Sequence, residues 1–135
     1  MAKLNVEVVT PEKRLVSAQA DEVVIPGSEG LFGVRPGHTE LLSLLGAGVL
    51  TLQNAGQTQT FFVAGGFAEV SHDKVVVLAD IAEPVASIDV DAATRRLSEA
   101  QGRLKTLTGT DAGFEVEQDT VRTETARVAA ARRPS

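Results

Sequence analysis

Leu4, Val6 and Val8 alternate with Lys3, Asn5 and Glu7 at the start of the chain, the two-residue period of a strand with one buried face. Thr10-Pro11-Glu12-Lys13 then reads as a turn, since proline presets the φ angle that a turn requires. A second extended stretch, 14–25, ends in the apolar run Val23-Val24-Ile25. Further strands are predicted at Val49–Leu52 and Thr60–Ala64, joined by the turn residues Asn54-Ala55-Gly56-Gln57. Gly65-Gly66 breaks the pattern, and Phe67–Ser71 and Lys74–Ala79 flank His72-Asp73 as a tight hairpin. Short strands with turns at this spacing predict a β-sandwich or barrel.

The period changes near Ala86. Val90, Ala93, Leu97, Ala100, Leu104 and Leu107 recur at alternating steps of three and four, a narrow apolar seam along one helix face. Asp89 or Asp91 can cap its start, and Gly109 suits a left-handed residue at its end. A second helix is predicted over 115–131, after the turn Gly109–Gly113, with the mixed seam Phe114, Gln118, Val121, Thr125 and Val128. The expected organisation is α+β, with an N-terminal β domain over 1–87 and a C-terminal two-helix hairpin over 88–135. So weak a second face buries little surface, which predicts a hairpin held loosely enough to move.

Composition narrows the function. Residues 1–87 carry ten acidic and five basic side chains, and 88–135 carry eight of each. The net charge of −5 therefore sits on the strand-rich part, the wrong sign for a nucleic-acid surface. Without Trp or Tyr, stacking platforms for bases are also lacking. The absence of cysteine excludes disulfides and thiolate metal sites. Leu41–Ala68 has no charged residue, yet its five glycines and the stretch QNAGQTQT interrupt it well before the ~20 apolar residues of a membrane helix.

Glycines 27, 30, 33 and 37 lie in the segment IPGSEGLFGVRPGHTELL, 25–42. A phosphate loop needs Lys and Ser/Thr directly after its last glycine, and no Gly-Lys pair occurs anywhere in the chain. The spacing is also not that of a dinucleotide fingerprint, and Glu29 would place negative charge against phosphate. Pro26–Gly33 instead reads as a surface loop displaying Ser28, Glu29 and Leu31, either a plain turn or a protein-docking loop. His38 is expected to make a structural hydrogen bond and His72 to be exposed. Two histidines cannot build a histidine-rich metal site, and no serine has a nucleophile-elbow context. Asp21-Glu22 reads as surface solvation. No catalytic, metal or cofactor site is expected.

The strings PGSEGLFGVRPGH (26–38), TELL (39–42), GAGVL (46–50), VAGGFAEV (63–70) and VVVLAD (75–80), followed by the helical pair, resemble in order the epsilon subunit of bacterial F-type ATP synthase. The resemblance covers essentially the whole chain, and the start at Met1 without a transit peptide favours the bacterial form. It implies a ten-stranded β-sandwich followed by two helices, in a non-catalytic subunit of the central stalk. The implied partners are the gamma subunit and the c-ring, at the cytoplasmic face of the bacterial inner membrane and peripheral to it. The family's c-ring contact maps onto Ser28, Glu29, Gly30 and Leu31.

In some members the hairpin regulates ATP hydrolysis. Arg122, Arg127, Arg132 and Arg133 are then candidate contacts to the alpha and beta subunits, although the helix dipole explains the last three equally well. The ATP-binding pattern of some members, I/L-D-x-x-R-A, is broken here. Its arginine position falls on Ala92 when read from Ile88-Asp89 and on Thr94 when read from Val90-Asp91, so strong ATP binding is not expected. The alternative reading is a free-standing β-domain that binds a small ligand.

Overall fold

The computed structural model divides the chain into two compact units, Met1–Val85 and Ala86–Ser135, of which residues 2–133 are described. The first unit holds eight strands: β1 (Leu4–Val9), β2 (Arg14–Ala20), β3 (Glu22–Gly27), β4 (Gly30–Val34), β5 (Leu41–Leu44), β6 (Gly48–Asn54), β7 (Gln57–Ser71) and β8 (Lys74–Pro84). They form one hydrogen-bonded sheet in the order β2-β1-β8-β7-β6-β3-β4, with β5 also paired to β7. Most pairs are antiparallel, whereas β1 and β8 run parallel.

This sheet folds into a sandwich because β7 and β8 serve both layers. The first half of β7 pairs with β6 and its second half with β5. Likewise β8 meets β1 only over Lys74–Leu78. One layer is thus β5, late β7, early β8, β1 and β2; the other is β4, β3, β6, early β7 and late β8. Counted by layer, these eight strands make ten segments, set against the ten strands that the resemblance implies.

Gly65-Gly66 does not end a strand, as the sequence suggested. The β7–β8 register is unchanged across it, from Ala64↔Ile81 to Gly66↔Ala79, and the ribbon passes through both glycines at positive φ. At Gly66, φ is 96° and a Cβ would collide with the Leu78 carbonyl oxygen. Only glycine permits this corner.

Strand alternation fills the space between the layers. Leu4, Val6, Val8, Val75 and Val77 point inward from one layer, and Val23, Ile25, Leu50, Leu52 and Val63 from the other. The two-residue turns Ala55-Gly56 and His72-Asp73 both have positive φ at each position, the backbone twist that tight hairpins favour.

The second unit contains α1 (Val90–Leu104) and α2 (Phe114–Ala131). Asp89 caps α1 by accepting the Ala92 N–H at 3.0 Å. All of the predicted α1 seam is buried or half-buried, with Ala93 and Ala100 fully so. The helix stops at Leu104, however, and Gly109 is not a left-handed cap. Thr106 Oγ1 donates to the Arg103 carbonyl and the Thr108 N–H donates to Asp111 Oδ2, local bonds that compete with further helix.

The seam of α2 also differs from expectation. Gln118 and Thr125 are exposed, whereas Glu117, Val121, Glu124 and Val128 are buried or half-buried. Carboxylates are costly to bury, but two arginines of α1 compensate these two. Arg96 Nε donates to Glu124 Oε1 at 3.1 Å and Arg103 Nε to Glu117 Oε1 at 2.7 Å.

Candidate functional site

The segment 26–33 is a strand hairpin rather than a loop. Gly27 pairs with Gly30, so Ser28 and Glu29 form a two-residue apex between β3 and β4. Ser28, Glu29, Gly30 and Leu31 are all exposed, and the structure therefore brings the four residues singled out in the sequence to one tip. Leu31 is 70% exposed, unusual for a leucine in a strand.

The tip does not stand alone. Ser28 N–H donates to the Leu44 carbonyl at 2.9 Å, Gly46 N–H donates to the Pro26 carbonyl at 2.9 Å, and Gly27 bridges to Leu45. A Cβ on Gly46 would sit 3.0 Å from the Gly27 carbonyl oxygen. Glycine at 46 thus lets the two backbones meet, a packing role that phosphate-oriented reading of glycines overlooks. Their junction forms a shallow groove lined by Ser28, Glu29, Leu31, Leu41, Leu42 and Leu44, among others. Leu42 and Leu44 are 66% and 67% exposed. The run LLSLL lacks alternation and β-branched residues, which is why sequence reasoning passed over β5.

From β5 the apolar surface continues over the outer face of its layer. Leu44 pairs with Phe67, Phe67 with Leu78, and Leu78 with Val9 across four neighbouring strands. Leu44, Phe67 and Leu78 are exposed. The adjacent row is Leu42, Glu69, Val76 and Glu7, with Glu7 near Arg14 and Lys74 at 3.6 and 3.8 Å. Exposed apolar residues in register on one face are characteristic of a protein-docking surface.

Elsewhere the polar residues are structural. Asp21 accepts from Lys3 and from the Ala55 N–H, while Lys3 also reaches Asn54 at 2.8 Å. The Lys3 hydrogen bond, helped by the Ala55 N–H, holds the Asp21 carboxyl below its usual range. Glu22 pairs with Arg35 at 3.0 Å. Asp21-Glu22 is thus a pair of ties rather than mere solvation. His38 Nδ1 lies 2.7 Å from the Thr39 carbonyl. His72 is exposed and 3.2 Å from Glu40. Among the described residues no group of three or more His, Cys, Asp or Glu could hold a metal ion.

On α2 the four arginines differ in setting. Arg127 lies against Glu124 at 3.5 Å with its side chain only 12% exposed. Arg122 is exposed near Asp119 at 3.6 Å, and Arg132 and Arg133 are exposed at the helix end. No described helix is long and apolar enough to cross a membrane.

A family model described as the beta-sandwich domain of the ATP synthase delta/epsilon chain matches residues 3–85. The ATP synthase epsilon chain of Myxococcus xanthus is 62% identical over 97% of this chain and 96% of its own. That of Anaeromyxobacter dehalogenans strain 2CP-C is 44% identical over 96% and 98%. In fold, the chain is similar to one in the Euglena gracilis mitochondrial ATP synthase (OSCP/F1/c-ring, rotational state 1), with a TM-score of 0.81 and 22% identity. The match covers 96% of this chain and 82% of that one. Match of the β unit to the family model, and of nearly the whole chain to full-length relatives, places this chain in the ATP synthase epsilon-chain family.

Proposed function

We propose that the chain is a non-catalytic central-stalk subunit of a proton-translocating F-type ATP synthase, held between the c-ring and the gamma subunit so that ring rotation reaches the catalytic head. The single observation that carries this reading is the groove of β5 and the β3–β4 tip. There Leu31, Leu42 and Leu44 are exposed beside Ser28 and Glu29, on a body with a buried apolar core. A torque-bearing part must be stiff, and a close-packed sandwich resists deformation.

In this reading the groove seats the polar loops of the c-ring, and the row Leu44, Phe67, Leu78 and Val9 faces gamma. Burying an exposed leucine contributes about 1.5–3 kcal/mol, whereas an exposed ion pair from Glu29 contributes only ~0–1 kcal/mol. Leu31 and Leu42 therefore dominate the ring contact, and Glu29 selects its orientation. The complex works peripherally at the cytoplasmic face of the bacterial inner membrane.

The test uses Glu29→Lys combined with Leu31→Asp in the assembled enzyme. Attachment of the catalytic head to membranes falls, and ATP-driven proton pumping falls with it. Unchanged pumping overturns the ring assignment. Purification of a tagged chain from detergent-solubilised membranes checks the setting, since rotor and head subunits must accompany it. Truncation after Ser87 addresses regulation, with a rise in ATP hydrolysis identifying an inhibitory hairpin. The exposed cations Arg122, Arg132 and Arg133 are the contacts to alpha and beta in that case, with Arg127 occupied by Glu124 in the closed hairpin.

A further inference from the structure

We infer that the pairs Arg96–Glu124 and Arg103–Glu117 form an ionic clasp that selects one closed register of α1 on α2, and makes closure of the hairpin depend on charge. The two pairs repeat at one heptad. Moving along α1 from Arg96 to Arg103 matches moving back along the antiparallel α2 from Glu124 to Glu117. The carboxylates are the inward members. Side chains of Glu124 and Glu117 are 6% and 17% exposed, against 45% and 54% for Arg96 and Arg103. The guanidiniums reach over the seam from its edge.

Apolar burial alone does not choose this register. The fully buried positions of α1 are Ala93 and Ala100, and those of α2 are Ala130 and Glu124. Alanines let the helices approach but discriminate poorly between registers. A slip of one turn would take both carboxylates away from their α1 cations, leaving Glu124 only Arg127 of its own helix, and a slip of one heptad would still leave one of the two without an α1 partner. Breaking a buried pair costs more than the pair itself gains, so charge decides the register. Arg127 adds a second cation to Glu124 at 3.5 Å, and the Glu117 hydrogen bond raises the Arg103 pKa further.

The chain has no cysteine, which allows site-directed spin labelling of the full-length protein. Labels at Arg95→Cys and Thr125→Cys, both exposed positions, report the separation of the helices by pulsed dipolar spectroscopy. The parent gives one short, narrow distance distribution. Arg103→Glu moves most molecules to a longer, broad distribution, and adding Glu117→Arg restores the short one. An unchanged distribution in Arg103→Glu overturns the clasp, as does failure of the charge swap to restore closure while circular dichroism shows the helices intact. Should the swap lose helix, Glu124→Gln supplies the deciding measurement, because it keeps volume and removes charge. It broadens the distribution if the clasp operates, and leaves it narrow if closure is merely steric.

Discussion

The Ser28 backbone N–H donates to the Leu44 carbonyl at 2.9 Å, joining a hairpin apex to an edge strand sixteen positions later in the chain. That bond gives the tip of β3–β4 a floor. It also brings Leu31 into one groove with Leu42 and Leu44.

The groove leucines contribute little to the stability of the isolated protein because they are already solvated. Leu31→Ser combined with Leu42→Ser changes unfolding free energy by no more than about 0.5 kcal/mol per site. Leu50, fully buried in the core, is the contrast, and Leu50→Ala costs about 2–5 kcal/mol. Urea denaturation of the three proteins checks both values. A large loss in the groove variant would mean that Leu31 and Leu42 are structural.

Two glycine-to-alanine changes have opposite signs. At Gly66 the backbone has φ 96° and a Cβ meets the Leu78 carbonyl, so Gly66→Ala destabilises by at least ~1–3 kcal/mol from backbone strain alone. Gly102 lies within α1 with open space around its Cβ position. Gly102→Ala accordingly stabilises the helix by roughly 0.5–1 kcal/mol. Denaturant unfolding reads the first, and thermal melting of the helical signal reads the second.

Asp21 sets part of the acid sensitivity. Its hydrogen bond from Lys3, helped by the Ala55 N–H, lowers its folded pKa from the usual 3.8. A depressed carboxyl contributes stability that is present above its unfolded pKa and lost as pH falls through the folded value. Asp21→Asn therefore removes part of the decline in stability below about pH 4. Urea midpoints measured from about pH 5 to about pH 2 are flatter in the variant. A slope identical to that of the parent would show that Asp21 takes no part in it.

Truncation of a clasp residue has a stability cost separate from register. Glu124→Ala leaves Arg96 and Arg127 facing each other without their shared carboxylate. Loss of a charged hydrogen-bond partner costs on the order of 1–3 kcal/mol. The helical transition seen by circular dichroism falls in temperature while the strand signal is unmoved.

Element type was legible where the side-chain period was clean. Leu4, Val6 and Val8 announced β1, and the three-four spacing from Val90 to Leu104 announced α1, because each period reports how one backbone conformation turns its side chains. Hairpin turns at Ala55-Gly56 and His72-Asp73 were equally local. Strand β5 was not legible, since four of its five neighbouring residues in LLSLL are leucine and the pattern has no period. The α2 seam was misread because the cations that make Glu117 and Glu124 tolerable inside belong to α1.

The sequence by itself determined two unlike units, an α+β order, the lack of a phosphate-loop pattern, and a surface segment at 26–33 that displays Ser28, Glu29 and Leu31. Each depends on residues adjacent or periodically spaced along the chain. Tertiary structure alone decided that β7 and β8 turn a corner into both layers. It also decided that β5 completes the groove and that two glutamates face inward on arginines of another helix. Those outcomes depend on which distant residues come within hydrogen-bonding or van der Waals reach, and local periodicity carries no record of that.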